Sequence, residues 1–184
     1  MKDIKTLVDL FAHTLRDMHH AEKQIRDALP DMIAKGTDPM LRQGLQKHLE
    51  ETRGHIARLE DVFRRHGVSA KEFDCPAVDG ILEEAGAVAG EIEDKKVLDT
   101  ALIAAAQAVE HYEMTRCGTL VEWAKQLGRT DCAVVLKQNL GEQKATARKL
   151  TEFAESEVNL ATAEQSARRP PSGTLRFLGA AVPA

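Results

Sequence analysis

Apolar side chains recur every three or four positions along four long stretches of the chain, the spacing of one face of an α-helix. These stretches run from about residue 4 to 35, 39 to 66, 96 to 127 and 131 to 160. In the first, the shared apolar face consists of Phe11, Leu15, Met18, Ile25 and Leu29. Alternation at period two, the mark of a strand, is absent. The pattern therefore predicts four long helices.

Residues 68–95 form a long connection between the second and third stretches, with one shorter amphipathic helix through Ile81, Leu82, Ala85, Val88 and Ala89. Such a length can carry the chain from one end of a bundle to the other, as a ferritin-like topology needs. We predict an all-α fold, a ferritin-like four-helix bundle with a long crossover that carries an additional short helix. Residues 1–160 should form this domain, and residues 161–184, which include ARRPPSG, a flexible tail.

Composition narrows the possible functions. Aromatic residues are only 4% of the chain, so alanine and leucine must fill the core, which favours closely packed helices. A net charge of −4 with scattered basic residues argues against nucleic-acid binding. No apolar run approaches the roughly 20 residues that a membrane span needs. The N-terminus does not resemble a secretory signal, and the three cysteines form no CxxC motif, so a reduced, cytoplasmic protein is expected.

Glutamates interrupt the apolar faces. Glu22 lies at the centre of the first face, and Glu110 lies among alanines in the third, with Glu113 one turn later. In the second stretch, one flank of the face carries the ladder His48, Glu51 and His55. In the fourth, Glu142 lies beside Leu140, which the pattern places on the inward apolar face. A buried carboxylate is unfavourable unless it is paired or bound to a metal. One central carboxylate per helix therefore indicates a metal site.

The spacing leaves the ligand set open. Bundles that bind two metal ions place Glu on two helices and Glu-x-x-His on the other two. Here Gly54 and Ala145 stand where those histidines would be, and His55 comes one residue late. The site is either carboxylate-rich, with His55 in one terminal position, or a relic that binds metal weakly. Any single inward glutamate can also pair with a lysine or arginine, and a histidine beside an apolar face is often a partly exposed polar residue.

Several segments carry a family resemblance: AEKQI (21–25), HLEETRGHIARLE (48–60), CPAVDGILEEA (75–85), ALIAAAQAVEHYE (101–113) and the weaker LGEQKATARKLT (140–151). Through them, residues 4–158 resemble the YciE/YciF-type stress proteins, a ferritin-like family related to rubrerythrin. The resemblance implies a four-helix core with a crossing helix, a homodimer formed through helix packing, and a di-metal centre.

The resemblance also implies the ligands. The family's glutamates fall on Glu22, Glu51, Glu110, Glu113 and Glu142, and with His55 these are the expected metal ligands. This chain has His19 and Cys117 where the family has tyrosine, and His55 where it has glutamine. The acidic run before KAT is reduced to Gly-Glu-Gln at 141–143. The two histidines could add nitrogen ligands, whereas the reduced acidic run could weaken the side of the site on the fourth helix.

The expected cofactors are two divalent metal ions, with iron as the first expectation and manganese as the second, because carboxylate and imidazole ligands suit both. A stress-response protein that handles peroxide, oxygen or Fe(II) fits this centre. Whether the centre turns over is left open. The alternative is a non-catalytic helical oligomerisation or binding protein with a relic or structural metal site. Iron storage is a weaker third option, since a cage needs assembly surfaces that one sequence does not reveal.

Overall fold

A computed structural model describes residues 4–70, 74–155 and 163 of the chain. The described residues contain five helices and no strand, which confirms the all-α prediction. The helices are α1 (Leu7–Lys35), α2 (Pro39–His66), α3 (Pro76–Glu91), α4 (Lys95–Gln126) and α5 (Thr130–Phe153). Most of the predicted tail, and the last residues predicted for the fourth long helix, lie outside the described residues.

Local sequence signals set the helix ends. α1 begins at Leu7 because Thr6 and Asp9 form a capping box, in which the Thr6 hydroxyl accepts from the Asp9 N–H (3.1 Å) and Asp9 Oδ2 accepts from the Thr6 N–H (3.0 Å). At α2 and α4, the carboxylates of Asp38 and Asp94 cap the helix by accepting from backbone N–H groups of the first turn. Gly67 ends α2 in the left-handed region, with φ of 77°.

The helices form two antiparallel pairs joined by the crossover. α1 packs against α2 and α4 packs against α5, while contacts of α2 with α5 and of α1 with α4 close the bundle. α3 lies on the outside against α4 and α1, so the predicted crossover helix is confirmed. None of the described helices combines the length and the apolar character needed to cross a membrane.

The apolar core is divided into two halves along the bundle. One half, here the Leu45 half, is built around Ile25, Leu29, Leu41, Leu45, Leu102 and Ile103. The other, the Phe11 half, is built around Phe11, Leu15, Met18, Leu59, Leu120 and Leu136. On each of the four long helices, the residues between the two halves are polar and buried. The bundle therefore holds a polar layer at mid-height, sealed at both ends by hydrocarbon.

Asp99 of α4 fixes the turn between α1 and α2, and its removal should destabilise the bundle. Its buried carboxylate accepts from the Thr37 N–H (2.7 Å), the Thr37 hydroxyl (2.5 Å) and the Asp38 N–H (3.0 Å). Asp99→Ala leaves these donors without an acceptor, so we expect the free energy of unfolding to fall by about 2–4 kcal/mol in urea denaturation. Glu84→Ala, on the exposed side of α3, is the control and should change it by less than about 0.5 kcal/mol. Equal stabilities for the two variants would contradict the role of Asp99.

Candidate metal centre

Eight polar side chains from four helices make up the polar layer, and each is at most 2% exposed. They are Glu22 on α1; His48, Thr52 and His55 on α2; Glu110 and Glu113 on α4; and Asn139 and Gln143 on α5. The spacing within each helix is three or four residues, so the members of each set share one face. The helix period therefore places the members of each set on one face, and the packing of the four helices brings these faces together at the same height.

Two groups of potential ligands lie within this layer, and they share Glu113. Glu22, His55 and Glu113 form one group, and His48, Glu110 and Glu113 form the other, with one donor atom from each residue within 4.8 Å of the rest. Oε1 of Glu113 is 4.0 Å from His55 Nδ1, and Oε2 is 3.8 Å from His48 Nε2. One carboxylate thus presents its two oxygens to two different histidines, the arrangement of a ligand that bridges two ions.

The remaining contacts complete each group. His55 Nδ1 is 3.3 Å from Glu22 Oε2, and His48 Nε2 is 3.3 Å from Glu110 Oε1. Gln143 of α5 donates to Glu22 Oε1 over 3.4 Å. In the described part of the chain, neither a lysine nor an arginine forms an ion pair with Glu22, Glu110 or Glu113. The pairing expected for a structural buried glutamate is therefore not found here.

Unpartnered polar atoms show that the layer fits a metal centre. Within residues 4–70 and 74–155, both ring nitrogens of His48 and all four carboxylate oxygens of Glu110 and Glu113 are buried without a hydrogen-bond partner. Such groups are expensive to bury unsatisfied, and native proteins rarely concentrate them. Carboxylate and imidazole donors suit Fe, Mn and Zn ions. A divalent ion in each group would coordinate carboxylate oxygens and one nitrogen of each histidine, and would offset the charge of three neighbouring carboxylates.

Burial shifts the protonation of the layer strongly. It raises the pKa of Glu22 to about 8, and burial with the nearby Glu113 carboxylate raises the pKa of Glu110 to about 10. Burial and the neighbouring Glu22 raise the pKa of Glu113 well above its usual value. Burial lowers the pKa of His48 to about 4 and also lowers that of His55. Without metal, the layer at neutral pH therefore holds protonated carboxyls and neutral imidazoles, whose protons a metal ion must displace.

The structure brings together Glu22, His55, Glu110 and Glu113 among the six predicted ligands. Glu51 and Glu142 lie outside the two groups, at the edge of the layer. The side chain of Glu51 is 17% exposed, and its oxygens lie 3.0 Å from Lys47 Nζ and 3.0 Å from the Thr146 hydroxyl. The side chain of Glu142 is 37% exposed and contacts His55 Nε2 and Arg58. Neither therefore reaches the shared carboxylate in this arrangement.

The face that α5 turns toward the bundle interior differs from the predicted face by one residue, about 100° of rotation. Leu140 was expected to point inward with Glu142 beside it, but Asn139 and Gln143 occupy the inward positions and Leu140 is only partly buried. The register that buries Cys132, Leu136, Ala147 and Leu150 together admits 139 and 143, three and four residues away. The α5 side of the layer is consequently neutral.

Two histidines that the sequence leaves ambiguous have different environments. His48 is 2% exposed and belongs to the second ligand group. The sequence could have shown that His48 is buried, because the inward face of α2 has no apolar residue between Leu45 and Thr52 and position 48 has the spacing for that place. His19 is also buried, but it packs edge-on against Phe63 at a ring distance of 5.5 Å and faces Glu60, away from both groups.

An open groove borders the layer on one side. It runs between the first half of α2 and the last half of α5, with a volume of about 860 Å³. Its apolar floor includes Leu41, Leu45, Leu150 and Phe153, and His48 and Glu51 line its inner part. His48 is the member of the two ligand groups that lines this groove, although its side chain is only 3% exposed.

Comparisons with known proteins identify the family and the fold of the chain. Residues 6–163 match the family described as "Domain of unknown function (DUF892)". The chain is 43% identical over 158 residues to Protein YciF of Escherichia coli (strain K12). The aligned region covers 85% of this chain and 95% of that protein. The crystal structure of the E. coli stress protein YciF superposes with a TM-score of 0.81, again covering 85% of this chain and 99% of the other.

Two further solved structures are similar. YcfI from Rhodopseudomonas palustris is 51% identical, covers 82% of this chain and 96% of its own, and has a TM-score of 0.80. A ferritin-like, diiron-carboxylate protein from Bacillus anthracis str. Ames is only 14% identical, with a TM-score of 0.62 over 82% of this chain and 99% of that one. The latter similarity concerns the fold alone, and it places the bundle among ferritin-like folds.

Proposed function

The chain belongs to the DUF892 family and is a relative of YciF, and on that premise we propose that it is a stress-response protein with a carboxylate-bridged di-metal centre. Iron is the first metal expected and manganese the second. Glu22 and His55 would hold one ion, His48 and Glu110 would hold the other, and Glu113 would bridge them. The proposed reactions are the handling of peroxide or oxygen, or the oxidation of Fe(II).

A single observation carries the proposal: the centre of the bundle contains ligand groups in excess of hydrogen-bond partners. Glu110 and Glu113 each bury two oxygens without a donor in the described chain, and His48 buries two nitrogens. Four helices converge on this one layer, so the cost of burial is concentrated where a metal can remove it. The same number of unpartnered polar atoms spread through the bundle would not indicate a shared metal site.

The chain's own residues would prepare the site and limit access to it. Redox-active divalent ions, when bound, supply electrons that amino-acid side chains at neutral pH do not. Gln143 orients the Glu22 carboxylate by donating to its Oε1. The Leu45 half and the Phe11 half of the core exclude water from above and below. The groove lined by His48 and Glu51 is the side from which a small reactant would reach the centre.

Added metal should stabilise the purified protein. An ion that binds the folded state alone raises stability by about 2.7 kcal/mol at a concentration of 100 Kd, which for a domain of this size corresponds to a rise in melting temperature of roughly 5–10 °C. We expect this rise with Mn(II), and with Fe(II) under anaerobic conditions, in a circular dichroism melt. Elemental analysis should find about two ions per chain.

Glu110→Ala tests where the metal binds. The variant removes a ligand of the His48 group and should hold less metal and show a smaller thermal shift. Glu50→Ala is the matched control, because Glu50 lies one residue from Glu51 on α2 but is exposed. Full metal occupancy in Glu110→Ala would overturn the assignment of the site.

A non-catalytic role in helix-mediated assembly is the second candidate function, and the open apolar groove with the exposed Met40 at its rim favours it. The expected homodimer would then be the functional unit. Protein isolated without metal, with a melting temperature that Fe(II) and Mn(II) leave unchanged and with no consumption of peroxide or oxygen, would support this function over the first.

A further inference from the structure

The two nitrogens of His55 face different partners. Nδ1 points into the polar layer, 3.3 Å from Glu22 Oε2 and 4.0 Å from Glu113 Oε1. Nε2 points the other way, toward α5, where it lies 3.1 Å from Glu142 Oε2. The imidazole ring thus separates the candidate metal position from Glu142. Because the carboxylate lies behind the ring, it can influence a metal only through the ring in this arrangement.

A closed set of contacts holds Glu142 in that place. Arg58, one turn along α2 from His55, donates to the Glu142 carboxylate and to the side-chain oxygen of Asn139. Asn139 in turn donates from Nδ2 to the backbone carbonyl of His55 over 3.3 Å. The loop runs from α2 to α5 and back to the residue where it began. It fixes both the ring and the carboxylate relative to the same backbone.

Hydrogen-bond chemistry then determines the proton position on the ring. A neutral imidazole carries one N–H, and a carboxylate paired with a guanidinium can only accept. Both ring nitrogens face a carboxyl group, but the contact of Nε2 with Glu142 (3.1 Å) is shorter than that of Nδ1 with Glu22 (3.3 Å), and the Arg58 guanidinium holds Glu142 as an acceptor. This geometry favours the N–H on Nε2, which leaves the lone pair of Nδ1 facing the layer. We propose that Glu142 is a positioning residue that fixes the tautomer and orientation of His55, so that Nδ1 is the metal-binding atom. The inference rests on the proposed metal centre for its function, but its geometry belongs to the chain alone.

His48 shows the contrast within the same molecule. Its Nε2 lies 3.3 Å from Glu110 Oε1 within the layer, but neither ring nitrogen makes a hydrogen bond in the described residues, so no group behind the ring sets its tautomer. The two ligand groups therefore differ in how their histidines are held. Hydrogen bonds with α5 orient His55, whereas His48 lines the groove. His48 also serves as an internal reference, because a change at Glu142 should leave its tautomer unaffected.

The first test uses the metal-free, full-length protein labelled with ¹⁵N. Long-range ¹H–¹⁵N correlation spectra distinguish the two neutral tautomers of each histidine. We expect His55 to be the Nε2–H form in the wild type and in Glu142→Gln, which keeps an acceptor. Glu142→Leu removes the acceptor and should move His55 toward the Nδ1–H form. Glu152→Leu, an exposed change farther along α5, is the control.

Two outcomes of this test would overturn the proposal: a wild-type His55 in the Nδ1–H form, or a tautomer unchanged in Glu142→Leu. Arg58→Met provides a second route if Glu142→Leu does not fold, because it keeps the carboxylate and removes its anchor. It should give His55 a mixture of tautomers, and a pure Nε2–H signal there would also contradict the positioning network.

The second test titrates the same variants with Mn(II). Loss of a group that orients a metal-binding histidine typically weakens metal binding by about 10- to 100-fold. We therefore expect Glu142→Leu to bind the wild-type number of ions with an affinity lower by that factor, and Glu142→Gln to lie between. A lost ion at saturating Mn(II) would show that Glu142 is a direct ligand and overturn the proposal. A wild type that binds no ion would instead refute the metal centre, while the tautomer test would still decide the role of Glu142.

Discussion

Glu113→Gln should abolish metal binding at both halves of the centre at once. Its two carboxylate oxygens face two histidines, with Oε1 directed to His55 and Oε2 to His48. Glutamine keeps the shape of the side chain but not the charge, and an amide cannot bridge two cations as a carboxylate does. We expect Mn(II) affinity to fall by more than about 100-fold, beyond the loss typical of residues that only orient a ligand. Elemental analysis after dialysis against Mn(II) is the measurement.

Single-group variants give this prediction its control. Glu22→Gln changes a ligand of the His55 group alone, and Glu110→Gln changes one of the His48 group alone. Each should retain about one ion, so the expected stoichiometries are two for the wild type, one for each of these variants and none for Glu113→Gln. If Glu113→Gln keeps an ion as firmly as Glu22→Gln does, Glu113 is not a bridge.

The metal-free protein should lose stability as the pH rises. Burial raises the pKa of Glu22 to about 8 and that of Glu110 to about 10 in the folded state, against the ordinary value of 4.5 for a glutamate carboxyl. Between those values the folded state binds protons that the unfolded state has released, so stability decreases with increasing pH. For each of these carboxyls, the free energy of unfolding at pH 7 is therefore expected to be roughly 3 kcal/mol lower than at acid pH. The loss should continue to about pH 8 for Glu22 and about pH 10 for Glu110.

Urea unfolding of metal-free protein between about pH 6.5 and 9.5 measures this slope. The range avoids the acid side, where His48, with its pKa lowered to about 4, makes stability fall as pH decreases below its unfolded value of 6.5. Glu110→Gln cannot ionise at this position, so it should be more stable than the wild type and show a shallower slope. Saturating Mn(II) should reverse the wild-type slope, since protons then compete with metal. A metal-free wild type whose stability is constant over this range would contradict the raised pKa values.

Most of the fold was predictable because its signals are local. The period of apolar residues and the Asp38-Pro39 pair define helices whose ends depend on neighbouring side chains alone. The crossover followed from the length of the connection between the second and third helices. Glu22 and Glu110 were also evident, since each interrupts the middle of an apolar face.

The rest of the site depends on helix rotation, which the sequence defines only loosely. Neighbouring positions on a helix point about 100° apart, so a modest rotation decides whether Glu142 or Gln143 faces inward. Gln143 could not be recognised as a buried residue from the sequence, because burying a neutral amide costs much less than burying a carboxylate. His48 was ambiguous for the opposite reason, since histidine is common both at surfaces and in sites. Contacts between helices, such as Arg58 with Glu142, lie beyond any one-dimensional pattern.

The division of the core into the Leu45 half and the Phe11 half has a kinetic consequence. Each half is stabilised by its own apolar packing. The polar layer between them adds little stability while its buried ligand atoms have neither a metal nor a hydrogen-bond partner. Segments of low local stability open without unfolding the whole domain. We therefore expect the metal-free layer to open locally before the whole domain unfolds, which would let an ion enter a folded protein. A bound ion would link the four helices through its ligands, so we expect the same layer to hold the two halves of the core together in the metal-bound protein.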